Sequence, residues 1–240
     1  MQSSWIAKHW RPHAPARCPC GNSWLGRELS TANPRKADPV DGARYDDAMS
    51  HITTRVATSA LWDDVQAALT GGGDGRACQC AWPVMTSTNY QALTPEQRQE
   101  RLHAELAQSD PAPGLVAYVD GKPAGWVRVG PWSVHQRMLN SRAARQSPTS
   151  HGDRTAWVIS CFSVRREYRR QGVMAALLAA AVEYARSQGA RTLEAVPVDP
   201  AAAPTTANAL YVGALPVFLA AGFTAVATPT KARRLVMRVL

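Results

Sequence analysis

The chain has no continuous apolar run near the eighteen or so residues that a membrane-spanning helix needs, and its first residues lack the apolar core of a secretory signal. A membrane-spanning helix is not expected on that reading, and the cysteine usage makes the reducing cytoplasm the expected location. Cysteine is sparse and odd in number: five, at 18, 20, 78, 80 and 161. Two Cys-x-Cys pairs and a single residue make a poor disulfide framework. They also miss the two-to-four-residue spacing usual in structural zinc sites, so a cluster of Cys18, Cys20, Cys78 and Cys80 is the weaker alternative to free thiols, and no metal is expected. Dense Lys/Arg runs are missing too, although the formal charge is +9. Scattered basic charge suits an acidic partner but disfavours a nucleic-acid surface. Acidic clusters are equally absent, which disfavours a strongly cationic ligand.

What is present begins at Met49. Residues 1–48 carry Pro12, Pro15, Pro19, Pro34 and Pro39 and sustain no period of 2 or 3.6. The expectation there is a mostly disordered arm, or a start codon assigned too early. Residues 49–240, of a chain 45% hydrophobic and 19% charged, can bury a full core as one domain. His51–Val56 reads as a strand, and Thr58 or Ser59 can cap a helix through Leu69. Thr94, Pro95 and Gln97 spell a capping box for a helix to Gln108, which Pro111 and Pro113 end. Asp120-Gly121 between two apolar runs predicts a hairpin of Gly114–Val119 with Lys122–Val129. Pro131–Arg154 shows no period and is expected to be a substrate-side loop, with Trp132 its candidate for touching substrate. Strands then alternate with helices: Ala156–Val164, helix Gly172–Gln188, strand Thr192–Val198, helix Leu210–Ala221, and strands Phe223–Ala227 and Arg234–Val239. The fold class is α/β, a mixed sheet with helices on its faces.

One stretch carries chemistry: Ser163-Val-Arg-Arg-Glu-Tyr-Arg169-Arg-Gln-Gly172-Val-Met-Ala175. It joins an apolar strand to a long helix. The first N–H groups of a helix lack intrahelical partners and sit at the positive end of its dipole, so they attract an anion. Gly172 leaves room for close approach, and Arg169 and Arg170 add charge suited to a diphosphate.

Arg169-x-x-Gly172 resembles the pyrophosphate turn of the GNAT acetyltransferase superfamily, whose pattern is Arg/Gln-x-x-Gly-x-Gly/Ala; Met174 stands at the last position, with Ala175 after it. Val217-Phe-Leu-Ala-Ala-Gly222-Phe223 is similar to the closing helix-Gly-Phe signature, and the Leu115–Val129 hairpin to the central strands. The resemblance spans about residues 50–240. It implies a mostly antiparallel sheet with a splayed strand pair as cofactor cleft, and acetyl-CoA as co-substrate without a metal. Phe162, Ser163 and Val164 would pair with its pantetheine arm, and Arg169, Arg170, Gln171, Gly172, Val173, Met174 and Ala175 would hold its pyrophosphate. The activity implied is N-acetyl transfer to a primary amine, of a small molecule or a protein, by direct attack. A two-fold dimer is the base-rate expectation. Where the superfamily carries a proton-donating tyrosine, this chain has Phe218, with Tyr211 expected two turns earlier on the same helix. That departure motivates the alternative of a non-catalytic acyl-CoA-binding regulatory module. Glu194, interrupting an apolar strand at the expected cleft, is the candidate base, ahead of Asp199 and His135; a strand residue paired with an Arg is its other reading. Cys161 is expected to pack rather than react.

Overall fold

The computed structural model describes residues 51–240, and the readings made for residues 1–48, Cys18 and Cys20 lie outside the described residues. In chain order the elements are β1 (Ile52–Val56), α1 (Trp62–Thr70), α2 (Gly75–Cys78), α3 (Ser87–Ala92), α4 (Pro95–Gln108), β2 (Gly114–Val119), β3 (Lys122–Pro131), α5 (Gln136–Leu139), α6 (Arg142–Gln146), β4 (Ala156–Val164), α7 (Val173–Ser187), β5 (Thr192–Ala195), α8 (Leu215–Ala220), β6 (Thr224–Thr230) and β7 (Arg233–Val239). The strands form one sheet in the order β1-β2-β3-β4-β5-β7-β6. All neighbours are antiparallel except β4 and β5, which run parallel with α7 as their crossover. That is the mixed, mostly antiparallel sheet expected from the sequence.

Local signals set several of these elements. The Thr94 hydroxyl accepts from the Gln97 N–H (3.3 Å), and the Gln97 side chain accepts from the Thr94 N–H (2.9 Å), closing the capping box of α4. Such a cap contributes about 1 kcal/mol. Asp120 and Gly121 both take positive φ and turn the β2–β3 hairpin. The apolar stripe of α7, with Leu177, Leu178, Ala181 and Ala185 fully buried, packs over β2, β3 and β4 against Val127, Trp157, Ile159 and Leu193. On the opposite face α1 and α4 cover Val116, Tyr118 and Trp126, and Arg128 of β3 ion-pairs with Glu105 of α4.

Three expectations are corrected. The segment 131–154 is not bare loop: it holds a 3-10 turn (Trp132–Val134), α5 and α6, too short to show a period in sequence. The helix expected over Leu210–Ala221 is two pieces, a 3-10 turn (Ala207–Val212) and α8, broken at Gly213. The strand expected over Thr192–Val198 pairs with β4 only through Ala195, after which Val198 bridges Ala214 and Arg233 instead.

Candidate active site

The parting of β4 from β5 follows from these bonds. The ladder runs Ala156↔Thr192, Trp157↔Leu193, Val158↔Glu194 and Ile159↔Ala195 and then stops, while β4 continues on its other edge with β3 as far as Val164. Residues 160–164 therefore keep one edge without a β5 partner. On the β5 side the chain turns away: the Val198 N–H donates to the Gly213 carbonyl (3.0 Å) and the Leu215 N–H to the Val198 carbonyl (2.8 Å). The 3-10 turn 207–212 lies against β4 across this opening. Gly213 makes the geometry feasible. Its φ of 82° and ψ of 168° belong to a region that is essentially glycine-only, and a Cβ there would stand 2.3 Å from Met174 Cε and 2.7 Å from a Phe218 ring carbon.

At the end of β4 the chain makes a 3-10 turn (Arg166–Tyr168) and enters α7 through Gly172, at φ 85°. The first bond of this helix runs from the Ala176 N–H to the Gly172 carbonyl (3.0 Å). The N–H groups of Val173, Met174 and Ala175 are thus left without intrahelical acceptors. Arg169, Arg170, Gln171 and Gly172 are exposed, and Arg169 Nε donates to the Val164 carbonyl (3.3 Å), tying the turn to the strand end. Side chains of Arg166 and Arg169 also approach Gly72 at the end of α1. The structure thus brings all ten residues expected to hold the cofactor, 162–164 and 169–175, onto one continuous strand, turn and helix start beside the splay. Backbone donors without intrahelical acceptors, cationic side chains and a glycine with no Cβ are the features that a diphosphate would complement.

A second feature meets the splay. A cavity of about 260 Å³ lies at its apex, lined by Ser160 and Val196, the first residues past the last β4–β5 pair, and by Trp82, Arg137, Tyr211 and Arg233 among others. Val196 packs with Ala143 and Met138 of the 131–154 segment, whereas Ile159 and Ala195 pack with α7. Ser160 is 2% exposed and its hydroxyl has no hydrogen-bond partner among the described residues. The break at Gly213 is what places Tyr211 on this wall, while Phe218 is fully buried against Phe162 and Phe223.

The other sequence candidates lie elsewhere. Trp132 is fully buried, stacked at 4.4 Å on His151, in a cluster with Ala144, Ala156 and Val158, and does not line the cavity. Glu194 is also 0% exposed and off the lining. Its carboxylate accepts from Ser147 Oγ (2.8 and 2.9 Å) and Thr149 Oγ1 (2.9 Å). Burial pushes its pKa up, against the pull of those hydroxyls and of His151. Asp199 pairs with Arg234 at 2.9 Å. His135 is buried with Nδ1–H donating to the Pro131 carbonyl (2.9 Å); burial, then the Arg128 charge, hold its pKa down at about 3. Cys161 packs with Cys80 and Trp126, and the neighbouring Cys80 and burial hold its thiol well above its ordinary value, the state of a packing residue. Sequence reasoning missed Ser160, Arg137 and Arg233, which no motif links; Tyr211 was noticed but placed on the wrong helix. Among the described residues no group of three or more His, Cys, Asp or Glu side chains could hold a metal, Cys78 and Cys80 are free thiols, and no helix is long and apolar enough to cross a membrane.

Comparison with known proteins adds the family. Residues 82–211 match the acetyltransferase (GNAT) family, across the hairpin, the splay and the 3-10 turn. No curated protein matches the chain. Similar solved structures include the PaiA N-acetyltransferase of Thermoplasma acidophilum in complex with coenzyme A, at 11% identity over 79% of this chain and 99% of that one, TM-score 0.46. A ribosomal-protein-alanine N-acetyltransferase of Brucella melitensis is 19% identical over 78% and 99%, TM-score 0.47. A GCN5-related N-acetyltransferase of Kribbella flavida is 20% identical over 79% and 98%, TM-score 0.46.

Proposed function

Because this chain belongs to the acetyltransferase (GNAT) family, we propose that it moves an acetyl group from acetyl-CoA to a primary amine by direct attack in a ternary complex. The observation that carries the reading is the splay itself, with a donor-rich turn at one end and a cavity at its apex. Acetyl-CoA supplies the activated acyl carbon as a thioester. The chain's own residues do the rest. The N–H groups of Val173, Met174 and Ala175, with Arg169 and Arg170 alongside, hold a diphosphate. The unladdered edge of Phe162, Ser163 and Val164 offers backbone groups to the amides of an extended pantetheine arm. An arm on that edge brings its thioester to the apex, beside Ser160, where an amine in the cavity meets it. Holding both partners there supplies the orientation that dominates a transfer with no covalent enzyme intermediate.

For the departing thiolate we assign Tyr211 as proton donor. Among the described residues it is the one phenol on the cavity wall, whereas Phe218 has no proton to give and is sealed in the core. Glu194, the base expected from the sequence, is assigned a positioning part: both its oxygens are engaged by Ser147 and Thr149, so it pins the segment after α6 to the sheet and keeps the cavity's roof in place. The test is release of free thiol from acetyl-CoA in the presence of a primary amine. We expect Tyr211→Phe to lower kcat by about 10²-fold or more, the range for loss of general acid catalysis, with acetyl-CoA affinity unchanged. Unchanged kcat would remove Tyr211 from the role. Absence of amine-dependent release in a protein that still binds acetyl-CoA would favour the binding-module alternative.

A further inference from the structure

The cavity at the splay is lined by three guanidinium side chains, Arg137, Arg142 and Arg233, and among the described residues no acidic side chain lines it. None of the three is in an ion pair among the described residues. Arg137 is held rigidly: its guanidinium stacks 3.5 Å over the Trp82 ring and its Nε donates to the Trp82 carbonyl (2.9 Å), yet its Nη2 is buried with no partner among the described residues. Arg233 sits 5.6 Å from the centre of the Tyr211 ring. Ser160 adds a hydroxyl that is also buried and, among the described residues, unpartnered. A buried cation nitrogen and a buried hydroxyl left without partners are costly unless something occupies the site to satisfy them. A guanidinium presents paired N–H groups matched to the oxygens of a carboxylate or phosphoryl group. Trp82, Pro83, Met138 and Val212 supply apolar wall between these groups.

From this we propose that the acceptor is a small primary amine that also carries an anionic group, a carboxylate or a phosphoryl group, bound by Arg137 and Arg233 with Ser160 as an added donor. The inference rests on the acetyltransferase reading. A cavity of about 260 Å³ is the size for a molecule of amino-acid dimensions, below the usual range for drug-sized ligands. The same charges serve the chemistry. Three nearby cations disfavour a bound ammonium and so lower its pKa, delivering the neutral amine that attacks the thioester. That accounts for a site in which Glu194, Asp199 and His135 are each engaged elsewhere. On transfer the amine nitrogen forms the amide bond to the acetyl carbon and loses one proton to water, the carbon–sulfur bond breaks, and the thiolate takes the proton of Tyr211, which water restores.

The experiment incubates the full chain with acetyl-CoA and an equimolar mixture of matched amines: 2-phenylethylamine with L-phenylalanine, 3-methylbutylamine with L-leucine, and propylamine with 3-aminopropylphosphonate. Acetylated products are read by mass spectrometry, the carboxylate and phosphonate arms telling the two anions apart. We expect the anionic member of a pair to be acetylated at least about tenfold faster than its neutral partner. Arg137→Gln and Arg233→Gln are each expected to raise its KM by about ten- to a hundredfold, the loss of a charged hydrogen bond. Their acetyl-CoA affinity by calorimetry should be unchanged. Ser160→Ala, which deletes a hydroxyl with no partner among the described residues, should not lower the thermal unfolding temperature but should raise the same KM. The proposal is overturned by equal or faster acetylation of the neutral members, or by substitutions that weaken both members alike. A protein that binds acetyl-CoA but acetylates no anionic amine overturns it as well. Failure to bind acetyl-CoA defeats the acetyltransferase reading instead.

Discussion

His135 gives the structure an acid sensitivity whose size can be worked out. In the fold its ring is buried, donates to the Pro131 carbonyl and faces the charge of Arg128, so it stays neutral down to about pH 3. In the unfolded chain it takes up a proton near 6.5. A depressed folded pKa means stability that is complete above pH 6.5 and lost as pH falls toward 3. At pH 5, about 1.5 pH units below that value, proton uptake that the fold forgoes favours the unfolded state by about 2 kcal/mol. That is a large share of the roughly 5–15 kcal/mol that holds a domain together. Glu194 works with the opposite sign over part of the same range, so total stability alone does not isolate the histidine. The comparison with His135→Gln does. Urea unfolding at pH 7.5 and pH 5 should show the wild type losing about 2 kcal/mol more than the variant between the two. Parallel losses in the two proteins would refute the buried, neutral histidine.

Three further expectations follow from the site. Gly213→Ala combines a forbidden backbone region with a Cβ 2.3 Å from Met174 Cε, and urea unfolding should register a loss of about 2–6 kcal/mol; a loss below about 1 kcal/mol would contradict the placement of the 207–215 segment. Glu194 has a raised folded pKa, so the unfolded chain ionises first and stability declines as pH climbs from 4.5 through that raised value. Glu194→Gln should flatten this decline and keep kcat within about tenfold, whereas a fall of 10²–10⁴ would make it a base after all. Glu194→Ala strands the Ser147 and Thr149 hydroxyls and should cost about 1–3 kcal/mol by thermal or urea unfolding.

The division between what the sequence revealed and what it concealed has a physical cause. Thr94 and Gln97, Asp120 and Gly121, and the Arg169–Gly172 turn each act within a few residues, so their local chemistry is enough to place α4, the hairpin and the start of α7. The apolar runs of β4 and α7 likewise state their own burial. Gly213 is different. Within Leu210–Ala221 it reads as a tolerated helix glycine, and only the bonds to Val198, imposed from another part of the sheet, turn it into a break that moves Tyr211 to the cavity. Glu194 is a polar residue in an apolar strand under either reading; that its partners are Ser147 and Thr149 depends on how residues 141–151 fold over the sheet. Trp132 stands in a segment of short turns with no period, and which way it faces is settled by His151 and Val158. Arg137, Ser160 and Arg233 come from three separate elements, and no spacing along the chain could have joined them.

The central claim is that the turn from Arg169 to Ala175 holds the diphosphate of acetyl-CoA, and calorimetric titration tests it most directly. The protein should bind acetyl-CoA with micromolar affinity, and Arg169→Glu, with its thermal unfolding unchanged, should weaken binding by at least about tenfold, since a charge-assisted contact becomes a repulsion. Folded protein that does not bind acetyl-CoA, or binding that Arg169→Glu leaves untouched, would contradict it.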